Sequence, residues 1–279
     1  MPPLLRDGSA ATWRQGAGDP SPPSAQAVSG QPVGFAHIKG TRHEPRPAAV
    51  IDARGPLGDR EFCFVDVDKR QVLKTVQHPR LIQIATSLVD GTLTITLPDG
   101  RTAGGVPHGA GERLTCNYWK RPVDLELMDG SHAALASEWL GKPVRLARAP
   151  RGAVVYGSAL SIITTASLRE LADSSGHPRL LDEAARFRAA VVLDTDEPFI
   201  EEAWQGQEVT VSESQFDDLH IRIGEPIPRC AVIDLDPVSG ARGSHLLKAL
   251  AATRPRNSDG EPHFGVYAEV IEPAATSVP

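Results

Sequence analysis

From Val33 onward apolar side chains recur at short, even spacing, whereas residues 1–30 show no such pattern. That leading stretch, which includes Asp19-Pro20-Ser21-Pro22-Pro23-Ser24, is too rich in Pro, Gly, Ser and Ala to bury a core, and it is expected to be a disordered leader. The segment GFAHIKG then alternates Phe35, His37 and Lys39 with Gly34, Ala36 and Ile38, which predicts a strand ending at Lys39-Gly40. Further strands are expected over Ala48–Arg54 and Gly58–Asp68, the second with both faces covered and Cys63 in the core. Two alternating runs flank Asp90-Gly91, a strong hairpin signal, so this region reads as a meander. Val123–Met128 predicts another strand, and SHAALASEWLG a short amphipathic helix capped by Ser131 and stopped by Gly141 and Pro143.

After Pro150-Arg151-Gly152 the pattern restarts with an expected strand, AVVYGSALSIITT, running into a helix, ASLRELADSS. Thr164 or Thr165 can cap that helix, and Ser167 with Glu170 can form a capping box. A second helix, PRLLDEAARF, and a strand, AAVVLD, follow. Leu219–Gly240 predicts two strands, one through His220–Ile223 and one through Val232–Ile233, with Cys230 between them and a turn at Asp236–Gly240. The helix SHLLKALAA, capped by Ser244, and a polar loop from Arg254 to Pro262 complete the pattern. It predicts a β-rich α+β protein with a leader (1–30), a first domain (31–150) and a second domain (151–279).

The formal charge of −6 over 279 residues provides no basic field, which argues against a nucleic-acid partner. Cys63, Cys116 and Cys230 are odd in number and widely spaced, without a Cys-x-x-Cys pair, so a disulfide framework, a structural zinc site and an iron–sulfur cluster are not expected. A reducing cytoplasm fits that usage. No run of about 18 apolar residues and no signal-type h-region occurs, so a soluble chain without a membrane partner is expected.

Among the candidates for chemistry, Cys230 stands at a strand mouth behind Arg229, and a guanidinium beside a thiol favours the thiolate that binds a metal or attacks an electrophile. A buried, inert cysteine is the alternative. Lys39 reads equally as a solvated strand-end lysine, and Asp59-Arg60 as a surface pair worth under about 1 kcal/mol. Capping accounts for the hydroxyls of Thr164, Thr165 and Ser167, although the free N–H groups of a first helical turn also suit a phosphate. Cys116, in the polar stretch TCNYWKRP, is expected to be structural or incidental.

Taken jointly, Ile38-Lys39-Gly40, Gly58-Asp59-Arg60, Thr164-Thr165-Ala166-Ser167, Arg186-Phe187-Arg188, Pro228-Arg229-Cys230 and Phe264-Gly265-Val266-Tyr267 resemble, in this order, the motifs of the MOSC family. These are proteins similar to the C-terminal domain of molybdenum cofactor sulfurase and to the mitochondrial amidoxime-reducing component. The resemblance implies an N-terminal barrel followed by a MOSC barrel, and a molybdopterin-type molybdenum cofactor in the cleft between them. Cys230 would then coordinate molybdenum and be the catalytic residue. Lys39, Arg60 and Arg188 would hold the pterin phosphate, the Thr164, Thr165 and Ser167 corner would contact the cofactor, and Tyr267 would lie near the metal. Two positions depart from the pattern, Ala190 where the family has Asn and Pro228 where some relatives have Ser, and the further Gly-x-Ile/Val-x-x-Gly-Asp strand with which relatives usually finish is not expected in the closing PAATSVP. The implied activity is an oxidoreductase that removes oxygen from an N-oxygenated or related small molecule. With no Cys-rich ferredoxin-like tail and no Gly-x-Gly-x-x-Gly fingerprint, electrons would come from a separate donor protein. The alternatives are a sulfurtransferase with Cys230 as persulfide carrier, and a non-enzymatic cofactor carrier.

Overall fold

The computed structural model describes residues 34–46, 49–213 and 216–272; the leader expected at 1–30 lies outside them. The first half opens with two short antiparallel pairs, β1 (Gly34–Phe35) with β2 (Glu44–Pro45), and β3 (Ile51–Asp52) with β4 (Gly55–Pro56). Then come β5 (Phe62–Asp66), β6 (Gln71–Val72), the meander β7 (Ala85–Val89), β8 (Thr92–Thr96) and β9 (Thr102–Gly105), β10 (His108–Tyr118), β11 (Arg121–Asp129), α1 (Ser131–Leu140) and β12 (Arg145–Arg148). Strands β10, β11, β12, β5 and β6 close into a barrel. β5 is buried along its whole length because its two faces serve different cores. Cys63 and Val65 pack with Val72, Cys116, Tyr118, Leu125 and Ala147 from the other barrel strands. Phe62 and Phe64 pack outward with Leu93, Ile95 and Ala136 under the meander and α1.

The chain leaves the barrel after β12 and begins a second sheet at β13 (Leu160–Thr164), followed by α2 (Thr165–Ser175), β14 (Val191–Leu193), α3 (Ile200–Ala203), β15 (Glu208–Glu213), β16 (Phe216–Pro228), α4 (Leu246–Thr253) and β17 (His263–Glu272). The order is β14-β13-β17-β16-β15, with β13 and β14 parallel. That parallel pair needs a crossover, which α2 supplies. One face of the sheet meets Phe35 and Ile51 from the first half; the other is covered by α2 and α4 through Leu168, Leu171, Leu246 and Leu250. The halves are also joined by hydrogen bonds, Gly34 N–H to Ala190 O (3.0 Å) and His43 Nε2 with Ala189 O (2.9 Å). Among the described residues no helix is long and apolar enough to cross a membrane.

Several expectations are corrected by this arrangement. Closure lies in the first half, whereas the second-half sheet is open among the described residues. The strand expected up to Lys39 is only Gly34–Phe35, because Ile38 bridges to Phe62 and Lys39-Gly40 is a turn. Of the strand expected over Ala48–Arg54, Ala48 lies outside the described residues and the rest shortens to Ile51–Asp52, and the one over Gly58–Asp68 shortens to Phe62–Asp66. Val232 and Ile233 belong to a 3-10 turn over Ala231–Asp234, so Cys230 connects a strand to a turn rather than two strands. The strand expected from Ala153 begins only at Leu160, and the helix expected over PRLLDEAARF reduces to a 3-10 turn at Ala184–Phe187. Cys116 is a buried β10 residue, not a loop residue. Ser131 is the first residue of α1 and Gly130 its cap, while α4 is capped by His245 and the Ser244 hydroxyl accepts instead from Arg186 Nη1 at 3.4 Å.

Candidate functional site

Where β16 ends, the pairing of Pro228 with His263 and the Arg229 N–H bond to Pro262 O (2.8 Å) hold the chain extended. Cys230 follows with φ −118° and ψ 177°, half-buried, and its carbonyl accepts from Ile233 N–H. Its side chain faces a cavity of about 160 Å³ that is also lined by Lys39, Arg60, Lys74, Arg186, Arg188, Arg229, Tyr156, Glu261 and Tyr267. Five of the residues singled out in the sequence therefore share one cavity: Lys39, Arg60, Arg188, Cys230 and Tyr267. They arrive from both halves of the chain, Lys39 and Arg60 from turns before β5, Arg188 from the turn before β14, and Tyr267 from β17.

Each cation is held in its own way. Arg60 is doubly bonded to Asp59, with Nε 2.7 Å from Oδ2 and Nη2 2.5 Å from the same atom. Arg186 is neutralised by Glu183, with Nε 2.6 Å from Oε2. Arg188 donates from Nη1 to Thr41 O at 2.8 Å, and Arg229 donates from Nε to Phe264 O and from Nη1 to Phe187 O, both at 2.8 Å. Neither Arg188 nor Arg229 has a carboxylate at ion-pair distance among the described residues, and Lys39 meets only the Tyr118 ring, 5.5 Å from its centroid. The buried guanidinium of Arg229 leaves Nη2 without a hydrogen-bond partner. Gly265, with φ 73°, makes that seat possible, since a Cβ there would clash with Ile162 O and press on Nη2.

Excess positive charge in a buried site depresses its own ionisation. Burial first, then the Arg60 and Arg188 charges, bring Lys39 down from 10.5 to about 7. Burial likewise lowers Arg188 and Arg229 to about 10, which leaves both cationic at neutral pH. Tyr267 is pushed up to about 12, chiefly by burial, so its hydroxyl stays protonated. The sign for Lys39 is definite. Between about 7 and 10.5 the unfolded chain binds more protons than the folded one, so stability contributed through this group rises with pH across that window. An anion in the cavity has the opposite preference, because it favours the protonated amine. Sulfate, a dianion throughout this range, should therefore bind with proton uptake and weaken as pH rises from about 6 to about 9. Titration calorimetry in buffers of different ionisation enthalpy checks this. A flat profile in the wild type, or the same slope in Lys39→Met, contradicts it.

The three helix-corner hydroxyls are not brought to this cavity. Thr164, Thr165 and Ser167 are buried. Thr164 caps α2 by accepting Ser167 N–H, the Ser167 hydroxyl donates to Glu201 Oε1 at 2.9 Å and accepts Phe199 N–H at 2.7 Å, and Thr165 accepts Thr195 N–H. The expected Ser167–Glu170 box is absent, because Ser167 is committed to Glu201. Burial raises the Glu201 carboxyl against these hydrogen bonds. Ala190 also points away from the cavity, into the sheet core with Trp204 and Ile223, so its departure from the family pattern removes no wall of the site. Pro228 does line it. Sequence reading missed Lys74, Trp119, Tyr156 and Glu261, which reach the cavity from a turn or loop that carries no motif.

The residues present suit an anionic group that carries a soft metal. Four cations without acidic partners among the described residues, Lys39, Lys74, Arg188 and Arg229, offer charge-assisted bonds to phosphate oxygens, and the thiol is a soft ligand. Among the described residues no cluster of three or more His, Cys, Asp or Glu side chains could hold a metal, so a metal at Cys230 would have to bring its remaining ligands with it.

Comparison with known proteins finds relatives for most of the chain. The molybdenum cofactor sulfurase of Caenorhabditis elegans is 26% identical over 237 residues, covering 82% of this chain and 32% of that protein. The molybdenum cofactor sulfurase of Homo sapiens is 22% identical over 222 residues, 74% of this chain and 24% of that protein. The chain thus spans about a third or less of the length of these curated relatives. Among solved structures, a Bordetella bronchiseptica protein gives a TM-score of 0.29 at 19% identity, over 40% of this chain and 92% of that one. Residues 140–278, which carry Arg188, Arg229, Cys230 and Tyr267, match the MOSC domain, and the chain belongs to the MOSC domain family.

Proposed function

We propose that the cavity binds a molybdenum cofactor, with the Cys230 thiolate as a ligand to the metal, and that the protein is an oxidoreductase reducing a small N-oxygenated or related molecule. The observation that carries this reading is the convergence of Cys230 with Lys39, Arg188 and Arg229 on one cavity lined from both halves of the chain. When bound, the group would supply two-electron chemistry. The chain's own residues would bind and orient it. Lys39 and Arg188 would take the phosphate, with Arg60, already neutralised by Asp59, as a further donor. Arg229, fixed by two backbone carbonyls, would hold positive charge on the cavity wall next to Cys230. Tyr267 would remain a hydrogen-bond donor on the wall. Electrons would come from a separate donor protein.

Protein purified from a host that makes the cofactor should contain near-stoichiometric molybdenum and pterin. Its reduction of an N-oxygenated probe should need an added electron-transfer protein, and NADH alone should give no turnover. Arg188→Ala should lose most of the molybdenum, yet shift the stability of the apo protein by only about 1 kcal/mol, since one partly exposed hydrogen bond is removed. Elemental analysis and thermal melts check both. Absence of metal in the wild type would contradict the cofactor assignment, and full retention in Arg188→Ala would contradict the role of that arginine.

Sulfur transfer is the second reading, favoured by the names of the relatives and by the half-buried position of Cys230 on the cavity wall. It expects metal-free protein in which mass spectrometry finds one extra sulfur on Cys230.

A further inference from the structure

Over the mouth of the cavity stand two large, partly exposed aromatic rings. Trp119 is 38% exposed and Tyr156 47% exposed, and their centroids lie 5.5 Å apart at 59°. Both line the cavity. Trp119 and Lys120 form the two-residue turn between β10 and β11, with φ 51° and 65°. Such a turn requires positive φ at both positions and favours Asn-Gly. A tryptophan there adopts a backbone conformation disfavoured for a bulky side chain. The turn itself gives no reason for the residue. Tyr156 is set by its neighbours. Gly157, with φ 80°, packs so closely on Tyr267 that a Cβ would overlap the ring. Across the mouth, Arg121 donates from Nη2 to Val155 O at 3.0 Å and ties the two rims together. The spacing of the rings is therefore built in by the fold rather than left to two free loops.

Charge is distributed unevenly around this pair. The Lys74 Nζ lies 4.1 Å from the Trp119 ring centroid and has no acidic partner among the described residues. On the Tyr156 side Glu261 is engaged by Asn257 Nδ2 at 3.0 Å. An exposed aromatic pair with a free ammonium over one ring, opening onto a cationic cavity, suits a flat ring with an anionic substituent on the Lys74 side.

We infer that Trp119 and Tyr156 form the subsite for the ring of the small-molecule substrate, and that this substrate is a planar aromatic compound bearing an anionic group held by Lys74. The inference rests on the proposed reading of the cavity as a small-molecule reductase site. A matched pair of probes tests it, 2-naphthoate and decahydro-2-naphthoate, which share charge and carbon skeleton. Area burial alone favours the saturated ring at least as well, so only ring recognition favours the flat one. Titration calorimetry on protein from a cofactor-making host should show 2-naphthoate binding about three- to tenfold tighter. Trp119→Leu should remove that preference, and Tyr156→Leu, on an exposed loop, should reduce it. Lys74→Gln should weaken 2-naphthoate but not neutral 2-naphthamide. Equal affinity of the two acids in the wild type, or a preference unchanged in both ring variants, overturns the subsite. Loss of pterin from Trp119→Leu also overturns it, because the rings would then serve the cofactor. Wild-type protein without molybdenum or pterin that still prefers 2-naphthoate upholds the subsite and refutes the cofactor reading instead.

Discussion

Cys230→Ser should leave a folded protein that has lost molybdenum and turnover together, by more than about 100-fold, the upper end of what loss of even an outer-sphere partner costs a metal site. The substitution keeps volume and replaces a soft, readily ionised thiol with a hydroxyl that is a poor ligand for this metal. Little else depends on the sulfur. Cys230 is half-buried, caps only a short 3-10 turn, and its structural hydrogen bond is made by the backbone carbonyl. Its melting temperature should therefore stay within a few degrees of wild type. Cys63 and Cys116 are the internal controls. Both are buried in the barrel interior, and burial pushes the Cys63 thiol up, so neither presents a thiolate. Serine at Cys63 should act through stability, because a hydroxyl without a partner is costly in an apolar core. Elemental analysis, turnover and thermal melts of the three variants decide the matter. A Cys230→Ser protein with wild-type molybdenum and wild-type turnover refutes the ligand assignment.

Arg229→Met should destabilise the apo protein by about 2–6 kcal/mol, since it strips hydrogen bonds from two buried carbonyls, each costing about 1–3 kcal/mol when left unpaired. Those carbonyls, Phe187 O and Phe264 O, belong to the turn carrying Arg188 and to the strand carrying Tyr267. The guanidinium therefore braces two walls of the cavity while its third nitrogen remains free. Methionine fills the volume but makes neither bond. The expected drop in melting temperature is about 5–20 °C, well above that of Arg188→Ala, which loses a single, part-buried hydrogen bond. Differential scanning calorimetry on cofactor-free proteins makes the comparison. If Arg229→Met melts like wild type, the arginine is a ligand alone and not a brace.

Some of this protein was determined by its sequence alone. Period-two alternation around Asp90-Gly91 specified the meander, and the hairpin residues Asp90 and Gly91 do adopt positive φ, 48° and 76°. The unbroken apolar run at Phe62–Val65 implied a strand covered on both faces, which the two separate cores realise. Ordered motifs named Lys39, Arg60, Arg188, Cys230 and Tyr267, and these residues meet in one cavity. Other features were decided by tertiary structure. Val232 and Ile233 look like a strand by composition but coil into a 3-10 turn, in which Ile233 packs into the core with Leu246, Leu250 and Phe264. The hydroxyls at 164–167 suit a phosphate by local pattern, yet Glu201, from a helix more than 30 residues later, claims two of them. Aromatic residues on a tight turn and an irregular loop carry no periodicity, so Trp119 and Tyr156 could not be read as partners. Their proximity exists only because Arg121 and Gly157 bring the two segments to the same opening.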